Sequence, residues 1–292
     1  MFNKIVVPLD GSELAEAILP YVETLAQKLK TDVDLVGVCE PVDTRQRLCG
    51  AYLEQVASRV KAGAAKVRQV VLPGKLVAEE ILDYADKNKV DLIAMTTRGL
   101  SGVSRWVVGS IAEKVLRASS APVLLVRGKQ PQKAGFKTAK LEKILVPLDG
   151  SDLGEAALPY VTDLANGLGC EVVLLRVEAP IAEVIATHGE AVALDPKLVA
   201  QQRAALAAQV NSYLARITAG LQAKGIKVSS EMREGLPANE IIAFSERNAI
   251  DLIAMSTHGR TGFSRWVYGS VTDKVLHSTE TPLLVIRPRQ KT

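Results

Sequence analysis

IVVPLDGSELAEAILPYVETLA, residues 5–26, returns as ILVPLDGSDLGEAALPYVTDLA, residues 144–165, with 16 of 22 positions identical. A second stretch does the same. DLIAMTTRGLSGVSRWVVGSIAEKVLRASSAPVLLVR at 91–127 returns as DLIAMSTHGRTGFSRWVYGSVTDKVLHSTETPLLVIR at 251–287, with 20 of 37 positions identical. Agreement of this length is duplication, and its period is far longer than the roughly 20–50 residues of a solenoid unit. Each copy is therefore expected to be a domain. The offsets locate the difference between them. Val38 and Val177 are 139 apart but Tyr52 and Tyr213 are 161 apart, so the second copy carries 22 extra residues between Val177 and Tyr213. The expected boundaries are a first domain over 1–128, shortened after its second strand, a basic linker over 129–141, and a second domain over 142–292. The linker holds Pro131 and Gly135 and has no apolar period, which suits a flexible connection.

Composition agrees with two ordinary domains. The chain has 292 residues, 48% hydrophobic and 23% charged, which excludes global disorder. Its net charge is +4, but residues 127–143 alone hold +5 and Arg287, Arg289 and Lys291 add three, leaving −4 on the rest. Mildly acidic lobes argue against nucleic acid as a partner. Cys39, Cys49 and Cys170 are too few and too scattered for a disulfide framework or a zinc ribbon. Cys39 reads as a small apolar residue after a strand, since a catalytic thiol needs a histidine and the first copy has none. MFNKIVVPLD is no signal peptide, and no apolar run approaches the roughly 20 residues of a membrane span. The cytoplasm is the expected compartment and a membrane is not an expected partner.

Within the first copy, apolar strands alternate with helices. Ile5–Pro8, Val33–Val38, Val67–Leu72, Asp91–Met95 and Pro122–Val126 read as strands. Tyr52–Ala62, Leu76–Lys87 and Ser110–Ala118 read as helices, and Leu14, Ile18, Leu25 and Leu29 mark one face of another that Ser12 caps. Pro20, with Pro159 as its counterpart, falls inside that helix and is expected to kink it. Apolar strands separated by helices imply a parallel sheet covered on both faces. The fold class is α/β: two tandem Rossmann-like domains, each a doubly wound, five-stranded parallel sheet. A crevice is expected where the strand order reverses, at the carboxyl ends of the strands.

Two glycine-rich turns end strands and open helices: Pro8–Ser12, and the stretch from Met95 through Gly99 to Gly109-Ser110. A helix N-terminus offers unbonded N–H groups and a positive partial charge to a phosphate. Asp10 suits hydrogen bonds from ribose hydroxyls or a base amine, and it also suits capping the following helix. From local sequence alone a turn with a helix cap and no ligand explains Gly99, Gly109 and Ser110 equally well.

The VPLDGS opening, the DLIAM strand, the glycine-spaced loop ending in Gly-Ser and the APVLLV-type closing strand resemble the universal stress protein family in its tandem form. The resemblance covers both repeats. Nucleotide-binding members carry Gly-x-x-Gly, nine residues, then Gly-Ser or Gly-Thr. Gly99 and Gly109-Ser110 match, as do Gly259 and Gly269-Ser270. The resemblance implies an ATP-binding regulatory or stress-response module, with or without magnesium. It places adenine-nucleotide contacts on Pro8, Asp10, Val38, Met95, Thr96, Gly99, Gly109, Ser110 and Ile111. In the second copy it places them on Pro147, Asp149, Val177, Met255, Ser256, Gly259, Gly269, Ser270 and Val271. It also implies that the closing strands pair the two domains into a pseudo-dimer, that two chains form a homodimer, and that an unidentified protein is a partner.

One departure stands out. The motif's first glycine is Thr96 in one copy and Ser256 in the other. A side chain there crowds the ribose or phosphate, or demands a backbone angle that suits glycine. Serine is the milder change, and the second copy also has the longer chain beside the adenine wall, so the second site is expected to bind better. Arg105 and Arg265 read first as solvated arginines beside anchoring Trp106 and Trp266, ahead of phosphate contacts. His258 suits a phosphate contact or an exposed loop equally. His188 among Glu183, Glu190 and Asp195 lacks the spacing of a metal site. No GxSxG elbow and no Walker lysine motif is present. Enzymatic activity is not expected beyond slow ATP hydrolysis or self-phosphorylation. The alternative is an interaction scaffold with vestigial or differently occupied pockets.

Overall fold

The computed structural model describes residues 2–60, 66–97, 108–127, 139–179, 196–257 and 269–288. The first half runs β1 (Lys4–Pro8), α1 (Glu13–Glu16), α2 (Leu19–Leu29), β2 (Asp32–Cys39), α3 (Asp43–Val60), β3 (Val67–Pro73), α4 (Val77–Lys87), β4 (Leu92–Thr96), α5 (Ser110–Ala118), β5 (Val123–Val126). The second half repeats it: β6 (Lys143–Pro147), α6 (Asp152–Glu155), α7 (Leu158–Leu168), β7 (Glu171–Glu178), α8 (Pro196–Gln222), β8 (Val228–Glu234), α9 (Pro237–Arg247), β9 (Leu252–Ser256), α10 (Ser270–Ser278), β10 (Leu283–Ile286).

All ten strands form one sheet, in the order β3-β2-β1-β4-β5-β10-β9-β6-β7-β8. Pairing is parallel within each half and antiparallel at the β5–β10 joint, where Leu125, Leu124 and Val123 face Leu283, Leu284 and Val285. Those closing strands are short, apolar and buried, and each covers the edge the other would expose. Reciprocal hydrogen bonds flank the joint. The Arg127 guanidinium donates to the His277 carbonyl, and Arg287 donates to the Arg117 carbonyl at 3.1 Å. The four residues are related by the repeat, so the two halves form a pseudo-dimer.

Alternation along the strands divides the core into two layers. Ile5 and Val7 join a layer with α2, α3, α7 and α8, while Val6 faces the layer built with α4, α5, α9 and α10. Both layers run through both halves. Among the described residues no helix is long and apolar enough to cross a membrane.

Local structure departs from expectation at two places. Pro20 and Pro159 do not kink a continuous helix. The chain makes one turn capped by Ser12 or Ser151, breaks, and restarts with the proline in the first turn of α2 or α7, where a missing N–H costs nothing. The helix expected from Tyr52 begins at Asp43; its first residues are polar, mostly exposed and without an apolar period, so periodicity did not mark the start. Ala62 lies outside the described residues. The counterpart α8 starts seventeen residues before Tyr213, whereas α3 starts nine before Tyr52, so part of the extra chain in the second half is helix. The proposed linker lies almost wholly outside the described residues. At its end, the Ala139 carbonyl accepts from Thr24 Oγ1 at 3.0 Å.

Candidate functional site

Each half has a cavity at the carboxyl ends of its two central strands, where the order reverses between β1 and β4 or between β6 and β9. The first, about 260 Å³, is lined by Pro8, Asp10, Val38, Met95, Thr96, Gly109, Ser110 and Ile111, among others. The second, about 320 Å³, is lined by Pro147, Asp149, Val177, Met255, Ser256, Gly269, Ser270 and Val271, among others. Sixteen of the eighteen candidate positions thus meet in two matching places. Gly99 and Gly259 lie outside the described residues, as do Arg105, Trp106, His188, His258, Arg265 and Trp266.

The strand ends and helix starts are tied together. Gly109 N–H donates to the Thr97 carbonyl at 2.7 Å and Gly269 N–H to the Thr257 carbonyl at 2.9 Å. No side chain caps α5 or α10. Helix geometry leaves the first-turn N–H groups without intrahelical partners, and the residues that carry them line the cavities. The opposite wall is the turn after β1 or β6. Asp10 Oδ1 accepts from the Ser12 N–H at 3.0 Å and from its hydroxyl at 2.6 Å, and Asp149 Oδ1 does the same with Ser151. Both serines in turn cap α1 and α6. Each aspartate therefore organises its turn and lines its cavity, while the expected cap on the following helix comes from the serine and not from the aspartate.

Thr96 and Ser256 close β4 and β9 and are buried. Neither has a positive φ; the non-glycine residues that do are Lys30, Lys89 and Ala249 among the described residues. The backbone at the missing glycine is ordinary, which removes strain from the argument and leaves only the bulk of the side chain.

Sequence reasoning missed the largest difference between the cavities. Arg176, 2% exposed, lies in the second, and its Nε donates to Glu178 Oε1 at 2.6 Å. Its Nη1 also donates to the Leu148 carbonyl at 3.3 Å. The same positions in the first half are Gly37 and Cys39. The signal was present: a charged residue inside the otherwise apolar run VVLLRV. Between its short first helix and its long helix, each half also holds a tyrosine, a glutamate and an arginine, the arginines at different positions of the repeat. Tyr52 donates to Glu16 at 3.2 Å and Arg59 to the same carboxylate at 2.7 Å, while Arg216 donates to Glu155 at 2.8 Å and lies over the Tyr213 ring, 5.3 Å from its centre. Burial first, and the neighbouring glutamate second, push both phenols well above their ordinary range. No cluster of three or more metal-ligating side chains occurs among the described residues.

The sequence model of the universal stress protein family matches residues 1–127 and 140–287. Universal stress protein MJ0531 of Methanocaldococcus jannaschii is 31% identical over 150 residues, covering 51% of this chain and 84% of its own. Universal stress protein Rv2005c of Mycobacterium tuberculosis is 24% identical over 301 residues, covering 97% of this chain and 96% of its own. Among solved structures, a universal stress protein from Archaeoglobus fulgidus superimposes with a TM-score of 0.71 at 20% identity, covering 100% of this chain and 98% of that one. That likeness speaks for the fold.

Proposed function

We propose that this chain, which belongs to the universal stress protein family in its tandem form, is a cytoplasmic regulatory module that binds an adenine nucleotide, with the second half as the stronger site. The observation that carries this reading is the repeated cavity in which an uncapped helix N-terminus faces an aspartate-bearing turn. The donor set fits a nucleotide. First-turn N–H groups and Ser270 suit phosphate oxygens, Asp149 suits ribose hydroxyls, and Pro147, Val177 and Met255 offer apolar surface to a base. The second cavity, about 320 Å³, falls within the range of about 300–1,000 Å³ usual for small-ligand sites, and the first falls just below it. Ser256 also offers less bulk than Thr96 beside the sugar. ATP is the ligand proposed, and magnesium, where it takes part, enters with the phosphates.

Native mass spectrometry of the purified chain titrated with ATP tests this. The expected result is one tight equivalent of adenine nucleotide, lost in Asp149→Ala. A chain that binds no adenine nucleotide at millimolar concentration overturns the proposal and leaves the interaction scaffold. Sedimentation at micromolar concentration tests the further proposal that two chains form a homodimer.

A further inference from the structure

We infer that Cys39 and Cys49 are a reversible oxidation site, closing to a disulfide under a hydroperoxide in the first half alone. The inference is independent of nucleotide binding. Cys39 ends β2, and the two-residue period of the strand puts Leu35, Gly37 and Cys39 on the face that α3 covers. On α3, Cys49 shares that facing side with Leu53, Val56, Ala57 and Val60. Gly37 is what allows the approach: a Cβ at that position would overlap Cys49 Sγ. Cys49 Sγ therefore lies over the backbone two residues before Cys39, on the face that also carries the Cys39 thiol, and both residues are half-buried. A thiol pair so placed is the arrangement from which a disulfide closes. The second half has Glu178 and Val210 at the same positions, and the third cysteine, Cys170, is buried.

The chemistry balances with hydrogen peroxide as oxidant. Cys39 sulfur attacks one peroxide oxygen, breaking the O–O bond and releasing water, and becomes a sulfenic acid. Cys49 sulfur then attacks the Cys39 sulfur, the S–O bond breaks, and the departing hydroxide takes the Cys49 proton as a second water. Two thiols lose two electrons and two protons, and the peroxide gains both. Burial, then the neighbouring Cys39, push the Cys49 thiol up to about 12, which disfavours its thiolate and leaves the attack on peroxide to Cys39; Cys49 gives up its proton only as the hydroxide departs. The site adjoins the first cavity, since Val38 lines that cavity and the Cys39 carbonyl accepts from Gly74 N–H at 2.8 Å.

The test treats the full chain with hydrogen peroxide, blocks free thiols, and maps tryptic peptides without reduction. The expected result is a linked pair, Thr31–Arg45 joined to Leu48–Arg59, with Cys170 recovered as free thiol and folded circular dichroism retained. Dithiothreitol should reverse the link. Cys170→Ser should keep it, and Cys39→Ser or Cys49→Ser should each abolish it. Recovery of Cys39 and Cys49 unlinked after peroxide, or a link that involves Cys170, overturns the inference.

Discussion

The second strands of the two halves, VDLVGVC at 33–39 and VVLLRVE at 172–178, occupy equivalent places in one sheet and handle polar groups in opposite ways. In the first half the charge is at the strand's start. Asp34 is fully buried, and its carboxylate accepts from Arg68 Nε at 2.7 Å and from the Tyr84 hydroxyl at 2.9 Å. The second half has Val173, Ser229 and Phe244 there. Towards the strand's end the pattern inverts. The second half buries Arg176 against Glu178, and the first leaves Gly37 under Cys49. Duplication has kept the apolar positions that build the sheet and let the polar ones drift in linked sets. A buried charge is tolerated only with its partners, so each set has to change together.

That comparison breaks most visibly when one member is moved alone. Gly37→Arg puts a guanidinium where Cys49 sits and where no glutamate waits. A destabilisation of about 4 kcal/mol is expected from overpacking and an unpaired buried charge, read as a lower urea midpoint. Adding Cys39→Glu and Cys49→Val, the residues of the second half, should restore part of it; no recovery would mean that the sets are not interchangeable.

A smaller effect is expected at the strand's start. Arg68→Ser leaves Asp34 buried without its ion-pair partner, costing about 2 kcal/mol, reduced because water still reaches that rim. Combining it with Asp34→Val and Tyr84→Phe should recover most of the loss in a urea titration. A triple variant less stable than the single one would contradict the idea of linked sets.

The smallest effect is a dependence on alkaline pH. Burial, then the hydrogen bond to Asp34, then the Asp34 charge, raise the Tyr84 hydroxyl from its ordinary 10 to about 12. Its neutral form is the one the fold favours. The contribution is therefore complete below pH 10 and is lost as pH rises through about 12. Tyr84→Phe should lessen the slope of the stability profile between those values, the rest coming from Tyr52, Tyr213 and Cys49; an unchanged slope would exclude a contribution from Tyr84.

Much of the fold was legible because it rests on apolar periodicity. The repeat gave two domains and the apolar strands gave parallel sheets, while the joint that Leu124 and Leu284 make came from the family resemblance. What escaped depends on contacts between elements. The helix restart at Pro20 was invisible because a proline inside an apolar period looks the same whether it bends a helix or begins one. The first turns of α3 carry no period at all. The backbone angle at Thr96 could not be read from its neighbours, and it is unstrained. The candidate site residues came from the resemblance to the universal stress protein family; glycine spacing and two aspartates alone left a ligand-free turn with a helix cap equally open. Arg176 and Cys49 were not recognised as a pair of alternatives, because that requires knowing that position 37 lies under α3.

The central claim is that the second half is the stronger nucleotide site, and isothermal titration with ATP on the wild-type chain, Asp10→Ala and Asp149→Ala tests it most directly. The account predicts one tight equivalent in the wild type, kept by Asp10→Ala and lost by Asp149→Ala. Equal loss of stoichiometry from both variants, or loss from Asp10→Ala alone, would contradict it.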